Sequence, residues 1–114
     1  MEQVIFEVEL LEEARAFLKS LSKDIRLKIG HNIRRVQKGE QNINLFKKLD
    51  STDIWEFRTL YNGIQYRLFA FWDKDNNTIV VATHGIIKKT QKTPIKEIAK
   101  AESIRIKYFK NKTE

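Results

Sequence analysis

The chain has 114 residues, no cysteine, and 22 Lys plus Arg against 15 Asp plus Glu, a formal net charge of +7. That length fits one domain spanning residues 1–114 and not two, and the lack of cysteine excludes a disulfide framework and any thiolate metal site. With 41% hydrophobic and 11% aromatic residues the chain can fill one modest core, which sets it apart from disordered sequences, and no stretch is long or apolar enough to cross a bilayer. The first residues, Met1-Glu2-Gln3-Val4, lack the basic-then-apolar order of a secretory signal. The cytoplasm is therefore the expected compartment, with no membrane partner. A basic surplus of this size attracts polyanions: nucleic acid, the ribosome, an anionic membrane or an acidic protein segment.

In chain order, Val4-Ile5-Phe6-Glu7-Val8 reads as a short strand. The period then changes: Leu10, Ala14, Phe17, Leu18 and Leu21 recur at helical spacing, with Glu12, Glu13, Arg15 and Lys19 opposite. Ser22 is placed to cap a second helix, with Asp24 in its first turn, Ile25, Ile29, Ile33 and Val36 as its buried stripe, and Gly39 to close it. A polar loop leads to Leu45-Phe46-Lys47-Lys48-Leu49 and a turn at Asp50-Ser51-Thr52-Asp53. Two strands follow, Ile54 to Tyr61 and Ile64 to Trp72, joined by Asn62-Gly63, whose residues both accept the positive φ of a type I′ hairpin. After a looser turn from Asp73 to Asn77, Thr78 to Ile86 is a third, β-branched strand. Thr93 and Pro94 open a terminal helix with Glu97 in its first turn. The order β-α-α-β-β-β-α predicts an α+β domain, an antiparallel sheet with helices on one face.

The Asn-Gly turn sets the register of the hairpin. Tyr61 faces Ile64, Thr59 faces Tyr66, Phe57 faces Leu68 and Trp55 faces Ala70 on the apolar side, which is the expected core side. The other side pairs Leu60 with Gln65, Arg58 with Arg67, Glu56 with Phe69 and Ile54 with Phe71. Two arginines directly opposite each other destabilise a sheet unless something anionic answers them. One candidate is a phosphate, which guanidinium groups bind bidentately; the other is Glu56, diagonal to Arg67. Beyond the hairpin, His84 is a candidate proton carrier or a core-edge histidine. From Lys88 to Glu114 nine Lys/Arg stand against three Glu, and Lys88, Lys89 and Lys92 lie between strand and helix, where functional groups often sit on a rigid scaffold. Lys47 and Lys48 enter from the loop before the hairpin. No His, Asp or Glu cluster has metal-ligand spacing and no glycine-rich phosphate loop is present, so neither metal nor cofactor is expected. Any RNA cleavage would then use the 2′-hydroxyl as internal nucleophile, with the protein orienting the backbone and stabilising phosphate charge.

Leu49 to Arg58 (LDSTDIWEFR), Tyr66-Arg67-Leu68 and above all His84 to Ala101 (HGIIKKTQKTPIKEIAKA) resemble the phage-derived branch of the RelE/HigB toxin family. The resemblance implies a compact RelE-like toxin fold and a ribosome-dependent, metal-free endoribonuclease that cleaves mRNA and inhibits translation. It also implies a cognate antitoxin, a small helix-turn-helix protein encoded beside the toxin. Arg58 matches the arginine of the family's WE-x-R stretch, Arg67 that of Y-R, and Lys88, Lys89 and Lys92 its lysines. The expected catalytic set is Arg58, Arg67, His84 and Lys89, with Lys47, Lys48, Lys88 and Lys92 binding RNA. Ala82-Thr83 stand where related toxins carry larger aliphatics, and Tyr108 is the candidate for the terminal tyrosine that some members place near the leaving group. Two alternatives stay open: a ParE-like gyrase inhibitor on the same fold, and a non-catalytic nucleic-acid-binding module.

Overall fold

The structure, a computed structural model, describes residues 3–75, 79–88 and 92–112. Strand β1 (Glu7–Leu10) begins later than the apolar run at Val4 suggests. The reason is a competing partner. Ile5 N–H donates to the Gln37 carbonyl at 2.7 Å, and the Gln37 side chain donates to the Phe6 carbonyl at 3.2 Å, so these residues are tied to a helix end rather than to a strand. Helices α1 (Glu12–Lys19) and α2 (Lys23–Gln37) form the expected hairpin, with Ser22 at the α2 N-cap. Gly39, at φ 106°, closes α2: its N–H reaches the Val36 carbonyl and Glu40 N–H the Arg35 carbonyl, the paired bonds of a Schellman ending.

The remaining elements are β2 (Phe46–Lys48), β3 (Trp55–Tyr61), β4 (Ile64–Asp73), β5 (Ile79–Lys88) and α3 (Ile95–Lys112). Asn62 and Gly63 both take positive φ, and the β3–β4 register is the one that the turn predicts, Arg58 opposite Arg67 included. Short β2 is an additional strand, so the sheet has five, in the order β1-β5-β4-β3-β2.

Two expectations are corrected. The sheet is mixed rather than wholly antiparallel, because β1 pairs with β5 in parallel; such a pairing needs a long crossover, and everything from α1 to β4 supplies it. Nor do the helices share one face. The α1/α2 pair covers Phe57, Leu68, Ala70, Val80 and Ala82, while α3 covers Ile54, Phe69, Phe71 and Val81. The α+β class and the three helices stand. The physical cue was the near-continuous apolar run of Leu68-Phe69-Ala70-Phe71-Trp72, the mark of a central strand buried on both faces. The far end of α3 is clasped to β4: buried Asp73 accepts hydrogen bonds from the Tyr108 hydroxyl and the Lys112 ammonium, both at 2.7 Å. Burial alone would push the Asp73 carboxyl up, but these bonds outweigh it and hold it below its ordinary value.

Candidate functional site

The register stacks three rows of side chains on the α3 face. Glu56, Phe69 and His84 make one row, Arg58, Arg67 and Ile86 the next, and Leu60, Gln65 and Lys88 the third. Lys47 lies opposite Glu56 on β2 and so joins the same face. Pairing between neighbouring strands thus gathers four cations around one carboxylate, from sequence positions 47 to 88.

The like-charged arginine pair is tolerated because Glu56 lies between the two. One carboxylate oxygen of Glu56 accepts from Arg67 Nη1 at 2.6 Å and from Arg58 Nε at 3.0 Å. The other accepts from the Thr93 hydroxyl at 2.7 Å, and Thr93 in turn lies 3.4 Å from Lys88 Nζ. Glu56 is 0% exposed, Arg67 2% and Lys88 4%, whereas the Arg58 side chain keeps 18%. Arg67 Nη2 donates to Gln65 at 3.1 Å, but its Nε has no partner. Arg58 Nη1 reaches the Ile43 carbonyl at 3.2 Å. Burial, reinforced by the charge of Arg67 and then opposed by Glu56, holds Lys88 below the ordinary lysine value, with Arg58 lowering it further. A buried excess of cations is costly unless it is answered; here one carboxylate answers several, and an inward N–H remains unused. Such a set can take an anion bearing several acceptor oxygens.

The arginine face is not open as expected, since α3 packs on its apolar half and Thr93, just before α3, bonds to Glu56. The Thr93 hydroxyl, expected to cap α3, donates to Glu56 and lies against Lys88. Lys88 comes into the cluster itself, whereas Lys89 lies outside the described residues and Lys92 is exposed before α3. Adjacent Lys47 and Lys48 point to opposite faces, Lys48 lying opposite Trp55.

His84 is turned toward α3. A bulge leaves Thr83 unpaired between Ala82 and His84, and the imidazole stacks on Phe69 at 4.9 Å. Its Nε2 lies 3.1 Å from a Glu97 oxygen and its Nδ1 2.9 Å from the Thr83 hydroxyl. Neutral imidazole satisfies both if Nε2–H donates to Glu97 and Thr83 donates to Nδ1. Burial lowers the His84 pKa, although the Glu97 bond works the other way. Tyr108 is bound to Asp73, six residues from Arg67 along β4, about 20 Å away by strand rise. It therefore sits at the opposite end of the sheet from the arginines. Among the described residues no three His, Asp or Glu side chains gather as a metal site would need.

Glu56 is the functional residue that sequence reasoning undervalued. Its signal was its place in the register, diagonal to Arg67 and next but one to Arg58; its double engagement depends on side-chain geometry that a register does not specify.

Residues 16–105 match the family described as "Phage derived protein Gp49-like (DUF891)". No curated protein sequence matches the chain. Among solved structures, the fold is similar to a chain of the intact Escherichia coli RelBE toxin–antitoxin complex, at TM-score 0.52 and 15% identity, over 76% of this chain and 99% of that one. It is similar to isolated E. coli RelE toxin, at TM-score 0.51 and 14% identity, over 82% and 94%. It is also similar to a chain of the RelBE2 complex of Mycobacterium tuberculosis, at TM-score 0.50 and 18% identity, over 76% and 95%.

Proposed function

Because this chain belongs to the phage-derived Gp49-like family and carries the fold of RelE toxins, we propose that it is the toxin of a toxin–antitoxin pair, an endoribonuclease that cuts mRNA on the ribosome. A cognate antitoxin would hold it in check. The observation that carries the reading is the cluster of Arg58, Arg67 and Lys88 around Glu56, with Arg67 Nε unused.

In this reading the phosphate enters beside Arg58, the most exposed member of the cluster, and takes up guanidinium N–H groups. Lys88, its pKa lowered, removes the proton of the 2′-hydroxyl as that oxygen attacks phosphorus. The bond from phosphorus to the 5′-oxygen breaks, the 5′-oxygen leaves with a proton from solvent, and a 2′,3′-cyclic phosphate remains. Charge stabilisation by prearranged donors is the main contribution asked of the protein, and proximity of the internal nucleophile supplies much of the rest. Lys47 and exposed Lys92 guide the RNA backbone. His84 serves the site indirectly, by fixing α3 against β5.

The test is purified protein added to a translation reaction, with mRNA ends mapped by primer extension. Discrete cuts ending in 2′,3′-cyclic or 3′-phosphate are expected; 3′-hydroxyl ends would contradict the mechanism. Intact mRNA with blocked DNA supercoiling would favour a gyrase inhibitor, and intact mRNA with RNA binding alone a non-catalytic module.

A further inference from the structure

Both tryptophans of the chain lie outside the arginine cluster and are only half-buried. Trp55 and Trp72 meet edge to face, 6.1 Å apart at 82°. Each is braced from behind: Phe46 stacks on Trp55 at 4.7 Å, and Phe6 meets Trp72 at 5.0 Å. The two indoles and Phe109 line a cleft of ≈ 620 Å³ at the β3-start, β4-end side of the sheet, with Lys48, Lys74 and Arg105 on it and Asp53 as the one acid. Arg105 is fixed by Glu102 at 2.7 Å and Asp53 at 3.4 Å and lies over the Phe109 ring. Among the described residues nothing pairs with Lys48 or Lys74.

We infer that this cleft binds an unpaired base of single-stranded RNA, stacked on the Trp72 indole with the nearly perpendicular Trp55 at its edge, and with its flanking phosphates on Lys48 and Lys74. Rigid aromatic faces next to unpaired cations are the two components of sequence-tolerant single-strand binding. A protein partner of acidic character would satisfy the lysines but leave the braced indoles unexplained. The route from this cleft to the arginines is short. Trp55 is three residues from Arg58, about 10 Å along β3, on the opposite face. The edge strand between the faces, β2, is three residues long and sends Lys47 to the arginine side and Lys48 to the tryptophan side. A strand passing over this edge meets a cation on each side of it. The inference rests on the nuclease reading for its ligand class, but its site is separate.

Because both tryptophans line the cleft, intrinsic fluorescence reports on it directly. The experiment titrates the full chain with a short 2′-O-methyl oligoribonucleotide, which lacks the internal nucleophile and cannot be cut. Saturable quenching is expected, and an abasic strand of equal length should give little. Lys48→Glu with Lys74→Glu should weaken the quenching titration at least tenfold, while Arg58→Gln keeps the quenching. Trp72→Phe should weaken binding less than Trp72→Ala, for which about 5- to 150-fold is expected from a lost stacked base. No quenching of the wild-type chain would overturn the inference, and so would quenching lost in Arg58→Gln but kept in the double lysine variant. Quenching by poly-glutamate and not by RNA would hand the cleft to an acidic protein segment and likewise overturn it. Cleavage that fails in Arg58→Gln while quenching persists separates this site from the nuclease reading.

Discussion

The choice of which arginine to mutate depends on burial. Arg67 is 2% exposed and its shortest contact is the 2.6 Å bond to Glu56. Removing one partner of such a buried pair costs about 3–5 kcal/mol, out of a total of about 5–15 kcal/mol for a domain. Arg67→Ala is therefore expected to lose toxicity partly by unfolding, and its loss says little about chemistry. Arg58 is the informative position. Its side chain is 18% exposed, and its removal leaves Glu56 bonded to Arg67 and Thr93. A hydrogen bond to a charged group contributes about 1.5–3 kcal/mol when sheltered, so with partial exposure Arg58→Gln should cost about 1–2 kcal/mol and remain folded. Its cleavage rate should nevertheless fall by about 10²–10³, the usual loss for one charge-stabilising donor. Urea midpoints establish the stability, and single-turnover cleavage of ribosome-bound mRNA gives the rate. A folded Arg58→Gln protein cutting at the wild-type rate would refute the assignment of the phosphate to this cluster.

Glu56→Gln should destabilise by about 3–5 kcal/mol, because Arg58, Arg67 and Lys88 then share a neutral neighbour, while affinity for RNA rises; a urea titration and filter binding read the two effects. Stability should also decline on acidification. His84 is held by burial below its ordinary 6.5, so as pH falls the unfolded chain takes the proton first, and stability is full above that value and lost below it, by at most about 1.4 kcal/mol per pH unit. His84→Gln should flatten that slope in urea midpoints taken from neutral to mildly acidic pH. A Cβ at Gly85 would overlap the Phe17 ring, so Gly85→Ala should cost about 1–3 kcal/mol by overpacking; in a double-mutant cycle Phe17→Leu should recover part of it.

The hairpin was legible because its information is local. Asn62-Gly63 sets the turn, the turn sets the register, and the register places Arg58 against Arg67 without reference to the rest of the chain. The second core was harder to read, since the alternation in Phe69, Phe71 and Val81 shows that both faces are apolar but not which helix covers the second. The terminal helix lies far along the chain, and its clasp joins Asp73 to Tyr108 and Lys112, a pairing that no spacing rule predicts. Parallel β1 was invisible for a similar reason: its pairing with β5 spans most of the chain. Among the site residues, Lys47 and Lys48 look alike in sequence, yet strand alternation sends them to different faces once β2 is paired.

The arginine pair and the apolar half of the same sheet face explain each other. Toward its lower end the α3 face holds Ile54, Phe69, Phe71 and Val81, sealed by α3 and locked by the Asp73 clasp. Toward its upper end the same strands carry Glu56, Arg58, Arg67 and Lys88, where Thr93 replaces helix packing with hydrogen bonds. The apolar half can therefore stabilise the strands while the polar half holds a charge surplus that a sheet would otherwise reject. His84 stands at the boundary, its ring stacked on Phe69 and its Nε2 against Glu97, so the helix that seals the core also fixes the position of Thr93 beside Glu56 and Lys88.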